Sequence, residues 1–275
     1  MPQLPDNSNF LDILSGLWRN RRLIWQMTKR DVVGRYRGSL MGLAWSFFNP
    51  ILMLVVYTFV FSVVFKSRWG GGGDESKVNF AIVLFVGMLI HGLFAECVNR
   101  APGLILSNVN FVKKVVFPLE VLPLVAMCST LFHTAISLAI LLSAMLLLHV
   151  AIPVTLVFLP LVILPLIVGT MGLAWFLAAT GVFVRDIAQT TGLVTTILMF
   201  LSPVFYPVSI LPPSYQFWIY LNPLTFFIEQ TRDVMIWGRM PNWAGLVIYS
   251  MVATAIAWGG LFWFQKSRKG FADVM

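Results

Sequence analysis

Four basic residues fall within nine positions of the stretch KRDVVGRYRGSLMGLAWSFFNP, namely Lys29, Arg30, Arg35 and Arg37. Their ammonium and guanidinium groups bind anions. Such a cluster suits a nucleic-acid arm, a targeting signal or the aqueous flank of a membrane segment. Almost unbroken apolar sequence follows the cluster, so the rest of the chain must decide among these three interpretations.

Ionisable residues within the apolar runs are few. His91, Glu96 and His133 lie inside such runs, and Arg100 lies just outside one. Glu96 and Arg100 are four residues apart, which places them on one face of a helix and predicts a structural ion pair. The two histidines are predicted to be hydrogen-bonded residues of a helix bundle. Proton-coupled transport would need acidic or histidine relays deeper in several helices, and the sequence speaks against it.

The sequence carries no catalytic motif that we recognise. The loop GGGGDESK lacks the Gly-Lys-Ser/Thr ending of a phosphate-binding loop, and HExxH and GxSxG are absent. Cys97 and Cys128 each lie in an apolar run with no His or Cys at ligand spacing. They are expected to be small buried side chains without a disulfide or a metal. We therefore predict no catalytic residue, no metal and no cofactor in this chain.

The elements that must position these residues are membrane helices. Of the 275 residues, 59% are hydrophobic and 11% are charged, whereas a soluble domain carries about 25% charged residues. The mean hydropathy is +0.85. The net charge of +8 does not indicate a nucleic-acid partner, because most Lys and Arg residues flank apolar runs. The composition predicts one all-α integral membrane domain over residues 1–275.

Six apolar runs approach or exceed the length of about 20 residues that a transmembrane helix needs. They predict transmembrane helices at 40–65, 80–97, 122–149, 154–183, 190–207 and 243–264. The connections on one side hold fourteen Lys and Arg residues and those on the other side hold five, which places both termini in the cytoplasm. About forty residues precede the first apolar run, so we expect no cleavable signal peptide.

Two further segments are predicted to lie at the membrane without crossing it. Residues 10–33 carry an apolar stripe with Trp18 and Trp25 and intervening basic residues. This pattern is typical of an amphipathic interface helix, with packing on a partner as the alternative. Residues 213–237 form two apolar pieces of about ten residues that meet at Asn222, and each is too short to span. They predict a re-entrant helical hairpin, with a surface loop as the alternative.

The order of several dispersed segments resembles that of ABC-2 type polysaccharide-exporting permeases, the membrane subunits of O-antigen (Wzm-type), capsule and teichoic-acid exporters. The segments are KRDVVGRYRGSLMGLAWSFFNP, NVNFVKKVVFPLEVLP, GVFVRDI, and SPVFYPVSILP followed by LNPLTFFIEQTRDVM. The resemblance covers nearly the whole chain. It implies a homodimer of six-span subunits in the bacterial inner membrane and two ATP-binding partner subunits that hold ATP and Mg²⁺. The implied substrate is an undecaprenyl-linked glycan.

The resemblance also implies roles for individual residues. Residues 108–121 would be the coupling loop that meets the ATPase, with contacts from Lys113, Lys114, Phe117 and Glu120. Arg30, Arg35 and Arg37 would form the rim where the lipid pyrophosphate enters. The candidate channel or gate aromatics are Tyr57, Phe61, Phe205, Tyr206, Trp218 and Tyr220.

The sequence thus favours export of a lipid-linked polysaccharide, O-antigen in particular, with energy from a partner ATPase. Other substrates of the same class stay open, namely capsule, teichoic acid, or a small lipid or drug. A membrane-embedded transferase of lipid-linked sugars and a passive channel are the alternatives from other classes. Membrane lipids are expected as partners and nucleic acid is not. The run of four glycines at 70–73 has no assigned role.

Overall fold

A computed structural model describes residues 16, 18–57, 59–60, 77–113 and 117–274. The regular elements within these ranges are all helical. We number the helices in chain order as α1 (Arg21–Arg35), α2 (Trp45–Tyr57), α3 (Lys77–Arg100), α4 (Val109–Lys113), α5 (Val121–Leu147), α6 (Leu159–Phe183), α7 (Ile187–Phe200), α8 (Pro213–Leu221), α9 (Pro223–Arg232), α10 (Trp243–Arg268) and α11 (Phe271–Val274). Short 3₁₀ turns join several of them, and a π turn at Asp233–Trp237 continues α9.

Within the described residues, four stretches are helical, long and apolar enough to cross a membrane. They are Phe80–Gly103, Val121–Leu147, Val154–Phe183 and Trp243–Arg268, and they coincide with four of the six predicted spans. Two shorter apolar helical stretches, Gly42–Tyr57 and Ile187–Phe200, coincide with the other two.

The two shorter stretches differ from the predicted bounds for different reasons. Most of the predicted 40–65 helix beyond Tyr57 lies outside the described residues. The predicted 190–207 helix is wrong at its end, since α7 stops at Phe200 and turns follow. Pro203 lies in those turns, and proline disfavours helical backbone at the residue before it and lacks an N–H donor.

Helices α6 and α10 pack against each other more extensively than any other pair of described helices. Glycines make this possible, because a Cβ added at Gly260 would lie 1.9 Å from the carbonyl oxygen of Gly172. A Cβ at Gly172 would lie 2.5 Å from the backbone of Ile256. Small residues let helix backbones approach closely in membrane proteins, so α6 and α10 form one tightly packed unit.

Buried apolar side chains form two cores along the bundle. One surrounds Trp175 and Phe264, where α6 and α10 meet the start of α5. The other surrounds Ile90 and Ile228, where α3 meets α9. We call the end of the bundle that carries Arg35, Arg100 and Arg268 the basic end; it holds the first of these cores.

Helix α1 lies across the basic end and packs on α5. Met27, Thr28 and Val32 are buried in this contact, whereas Trp18 and Trp25 are 73% and 70% exposed. The predicted apolar stripe therefore divides, with Val32 against the protein and the tryptophans facing outward. The buried face of α1 packs on this chain's own α5, and an interface position for the exposed face stays a prediction; residues 10–15 and 17 lie outside the described part.

Helices α8 and α9 are the two short pieces predicted around Asn222. The Asn222 side chain accepts a hydrogen bond from the backbone N–H of Leu224 at 3.0 Å, and its amide donates to the Ser202 hydroxyl at 2.8 Å. The first bond caps α9 and the second ties the hairpin to the turn after α7. Most of α9 is buried, while α8 is mostly exposed.

Candidate functional site

A cavity of about 460 Å³ opens at the basic end, between α1, the end of α3 and the start of α5. Three arginines, Arg30, Arg35 and Arg100, contribute to its wall, together with Asp31 and Asn108. The rest of the lining is Met27, Gly34, Leu104, Leu122, Val125 and Ala126. Its volume lies within the range of small-molecule sites.

Four charged side chains at this cavity join α1 to α3, and we call them the charge junction: Asp31, Arg35, Glu96 and Arg100. Arg35 pairs with Glu96. The Nη2 atom of Arg100 lies 2.8 Å from both carboxylate oxygens of Asp31, and its Nη1 atom lies 3.9 Å from Glu96. The predicted Glu96–Arg100 pair is thus confirmed, and it has two further partners on α1.

The charge junction has a matched register on its two helices. Asp31 and Arg35 lie four residues apart on α1, and Glu96 and Arg100 lie four residues apart on α3. Such residues share a helix face, so each acid of one helix meets the base of the other. All four side chains keep 28–32% of their surface exposed.

The cavity is suited to an anion. Three guanidinium groups line it against one carboxylate, and guanidinium binds phosphate through paired N–H donors. The Nη1 atom of Arg100 is buried and has no hydrogen-bond partner among the described residues. Of the three arginines predicted for the pyrophosphate rim, Arg30 and Arg35 line the cavity, while Arg37 is exposed and does not. The sequence did not place Arg100 with these arginines, because its position suggested only a local ion pair with Glu96; in the structure it lines the same cavity.

Two residues of the predicted coupling loop, Phe117 and Glu120, face inward. Phe117 is buried and stacks on Phe111, with ring centroids 4.5 Å apart. Glu120 is 2% exposed and its carboxylate lies 3.2 Å from Nη1 of Arg268. The sequence placed Phe117 and Glu120 among contacts to a partner, whereas in this chain their side chains contact its own residues. The Lys113 side chain and Lys114 lie outside the described residues, and a role of all four in coupling stays a prediction.

Two residues that fix this loop were not found by sequence reasoning. Arg268, at the end of α10, donates to the carbonyl oxygen of Phe117 as well as to Glu120. Trp175 of α6 donates its indole N–H to the carbonyl oxygen of Glu120 at 3.0 Å. Both lie far from the loop in sequence, so no local pattern could have revealed them.

The predicted gate aromatics fall into separate places. Phe205 and Tyr206 follow α7, where the Tyr206 hydroxyl donates to the carbonyl oxygen of Phe200 at 2.9 Å. Trp218 and Tyr220 lie on the exposed side of α8, which the Asn222–Ser202 bond holds next to that turn. Tyr57 is half-buried on α2, and Phe61 lies outside the described residues. Whether any of them lines a channel stays a prediction.

A buried arginine at the other core joins three elements. Arg232, at the end of α9, donates to the carbonyl oxygens of Val83, Pro203 and Val204 at 3.0, 2.6 and 3.0 Å. We call this arrangement the carbonyl clasp. Gly87 leaves room for it, because a Cβ there would lie 2.7 Å from Nη2 of Arg232. Sequence reasoning missed it, since backbone acceptors leave no signature in side-chain patterns.

The histidines and cysteines contact neighbouring helices. Nε2 of His91 lies 3.0 Å from the carbonyl oxygen of Thr195, and Nδ1 of His133 lies 3.5 Å from the Tyr36 hydroxyl. Cys97 and Cys128 are free thiols, the first buried and the second half-buried. Among the described residues, no three His, Cys, Asp or Glu side chains are grouped to hold a metal.

Long apolar helices and a basic cavity at one end define a multi-pass membrane protein. Residues 22–236 match the family described as ABC-2 type transporter, and the chain belongs to that family. It is 28% identical over 263 residues to the O-antigen export system permease protein RfbA of Myxococcus xanthus, covering 94% of this chain and 96% of that protein. Two proteins of the same name from Klebsiella pneumoniae are 23% and 22% identical over 254 residues, covering 92% of this chain and 95% of each. The chain is therefore a transport subunit of a bacterial inner-membrane system.

Proposed function

We propose that this chain is the permease subunit of an ATP-driven exporter of a lipid-linked polysaccharide, and that the polysaccharide is O-antigen. Similarity along 92–94% of the chain to three O-antigen export permeases carries this proposal. The basic cavity supports it, because a lipid-linked glycan of this kind carries an anionic diphosphate between the lipid and the sugar.

The proposed assembly contains two copies of this chain and two ATP-hydrolysing partner subunits. The chain has no phosphate-binding loop motif, so its energy must come from a partner. One subunit of six spans is too small to enclose a path as wide as a glycan. Helices α2 and α7 expose apolar side chains such as Phe47, Leu52, Leu193 and Ile197, which suits contact with lipid or with the second copy.

In the proposed topology the basic end faces the cytoplasm, and α2, α3, α5, α6, α7 and α10 are the six spans. The charge asymmetry of the connections supports this orientation. Helices α8 and α9 would enter from the outer face without crossing. The burial of α9 against α3 supports a re-entrant position, because broken backbone within a membrane is stable only when protein or water surrounds it.

In the proposed mechanism the diphosphate enters the cavity at Arg30, Arg35 and Arg100, with Arg37 near its rim. ATP-driven closure of the partner subunits would push on residues 108–121, through Lys113 and Lys114 in particular. Phe117 and Glu120 would pass the movement to Arg268. Such a push acts by favouring one of two conformations of the permease, and the candidate gate aromatics would lie on the path that opens.

Deletion of the gene for this chain tests the substrate class. We expect surface O-antigen to disappear and to return when the intact chain is expressed again, as seen by staining of surface glycans. Normal surface polysaccharide in the deletion strain would overturn the proposal. Sugar transfer by the purified chain alone, without ATP or a partner, would instead favour the transferase.

Co-purification tests the coupling assignment. The double variant K113E/K114E should lose its partner ATPase on affinity purification, because the charge reversal abolishes the cationic contacts that these lysines are proposed to make. The variant K266E/K269E makes the same charge change at the end of α10 and should keep the partner. An intact complex with K113E/K114E would remove both lysines from the interface.

A further inference from the structure

The charge junction occupies the arginines that the proposed diphosphate site requires. Arg35 is in contact with Glu96, and Arg100 holds both oxygens of Asp31. A guanidinium group that is paired with a carboxylate has fewer donors left for a phosphate. Asp31 lines the cavity itself, and both acids occupy guanidinium donors that the anionic part of a ligand would use.

We propose that the charge junction is an autoinhibitory latch that the substrate opens. The diphosphate of the lipid-linked substrate displaces Glu96 from Arg35 and Asp31 from Arg100, and this exchange separates α1 from α3. The inference rests on the proposed function, since it takes the lipid diphosphate as the ligand of this cavity. The latch adds a regulatory step to the diphosphate site, and Arg100 takes part in that step.

The exposure of the pairs makes the exchange feasible. Each of the four side chains keeps 28–32% of its surface exposed, so water and salt weaken the pairs. A diphosphate offers more oxygens and more negative charge than one carboxylate, and paired guanidinium donors bind it strongly. The released acids can turn toward water and stay hydrated.

The position of Arg100 makes it the centre of the latch. It contacts Asp31 through Nη2 while Nη1 faces Glu96 at 3.9 Å without a hydrogen bond among the described residues. The same side chain lines the cavity. An anion that binds Arg100 through both Nη1 and Nη2 would therefore compete with Glu96 and Asp31 at once. Because the pairs lie four residues apart on both helices, the loss of one pair loosens the other.

Removal of either acid tests the competition. The complete complex with its ATPase is placed in lipid nanodiscs, and binding of radiolabelled undecaprenyl diphosphate is measured. E96Q and D31N should each bind it up to about fivefold more tightly, because one weak competing carboxylate is gone. D186N changes the charge equally on an exposed turn outside the junction and should bind as the unmodified complex does.

The sign of this change separates a latch from a structural ion pair. If the pairs only hold the site in shape, E96Q and D31N should bind more weakly. Equal or weaker binding by both variants would overturn the latch alone, whereas no binding to the unmodified complex would overturn the proposed site. Should one variant fail to assemble, the other gives the same test.

Two further ligands identify what the junction recognises. Inorganic pyrophosphate should compete with undecaprenyl diphosphate in the unmodified complex, and less of it should be needed in E96Q. Competition that follows only the phosphatidylglycerol content of the nanodisc would show that bulk lipid headgroups occupy the junction, which would overturn the proposal.

Discussion

Arg100 and Arg232 both join helices through several oxygen atoms, but their partners differ. Arg232 is 3% exposed and donates to three backbone carbonyls. The Arg100 side chain is 28% exposed and its partners are carboxylates. A backbone carbonyl cannot leave without unfolding its segment, whereas a carboxylate can rotate away and be replaced by another anion. The same residue type is thus held by main-chain oxygens in one place and by side-chain oxygens that can rotate in the other, so we expect a fixed joint at Arg232 and an exchangeable one at Arg100.

Replacement of Arg232 should have the largest effect on stability. R232M leaves the carbonyls of Pro203 and Val204 without their donor and separates α9 from α3. We expect a loss of about 3 kcal/mol or more, because each buried acceptor left without its donor costs about 1–3 kcal/mol. Thermal unfolding in detergent measures the change.

The matched control for Arg232 is Arg239, which is 74% exposed and lies 3.7 Å from Asp233. R239Q should leave the midpoint of thermal unfolding nearly unchanged, because pairs at the surface contribute little. Equal midpoints for R232M and R239Q would mean that the carbonyl clasp is not a fixed joint.

Replacement of Arg268 should have the second-largest effect on stability. Its partner Glu120 is far more buried than Asp31 and Glu96, the partners of Arg100. R268Q leaves the Glu120 carboxylate, 2% exposed, without a cation, and should cost about 3 kcal/mol. The double variant E120Q/R268Q removes both charges and should recover most of this loss. Additive losses in the double variant would show that the two side chains act independently.

The glycine contact between α6 and α10 should have an intermediate effect. G260A places a Cβ against the carbonyl oxygen of Gly172 and should force the helices apart, at about 1–3 kcal/mol. G259A is the control one residue away, since nothing lies within 4 Å of a Cβ there. If both substitutions are equally tolerated, the two helices can separate more easily than their packing indicates.

The charge junction should show the smallest change in stability. E96Q is expected to cost about 0.2–1 kcal/mol, as partly exposed pairs do. The difference in unfolding midpoint between E96Q and the unmodified protein should shrink in salt of about 1 M, where the Debye length is near 3 Å. A large loss of stability that does not depend on salt would show that the charge junction is a fixed joint, as the carbonyl clasp is expected to be.

The helices could be predicted because a helix is indicated by residues that are close together in the sequence. The length and apolar character of the runs located α3, α5, α6 and α10, and the spacing of four residues located the Glu96–Arg100 pair. The end of α7 was wrong because the apolar sequence continues past the turn at Pro203. Apolar content alone does not report where a chain stops being helical.

The partners of the charged residues could not be predicted. Asp31 lies 69 residues from Arg100, and Arg35 lies 61 residues from Glu96, so only the packing of α1 on the bundle brings them together. Arg232 binds main-chain oxygens, which every residue carries. Phe117 and Glu120 were assigned to a partner surface because the family resemblance places their loop at the ATPase, and a resemblance does not show which side chains of a loop turn inward.

The contact between Arg268 and the coupling loop has a mechanical meaning. Helix α10 has 26 residues and is about 39 Å long at a rise of 1.5 Å per residue. Near its other end the Tyr249 ring stacks on Phe226 of α9 at 4.4 Å, and Phe226 also lies against Gly245. Helix α10, stiffened by its glycine contact with α6, is thus a single strut with the predicted coupling loop at one end and α9 at the other. If this loop does meet the ATPase, a shift of the loop would reach α9 by direct transmission along this strut.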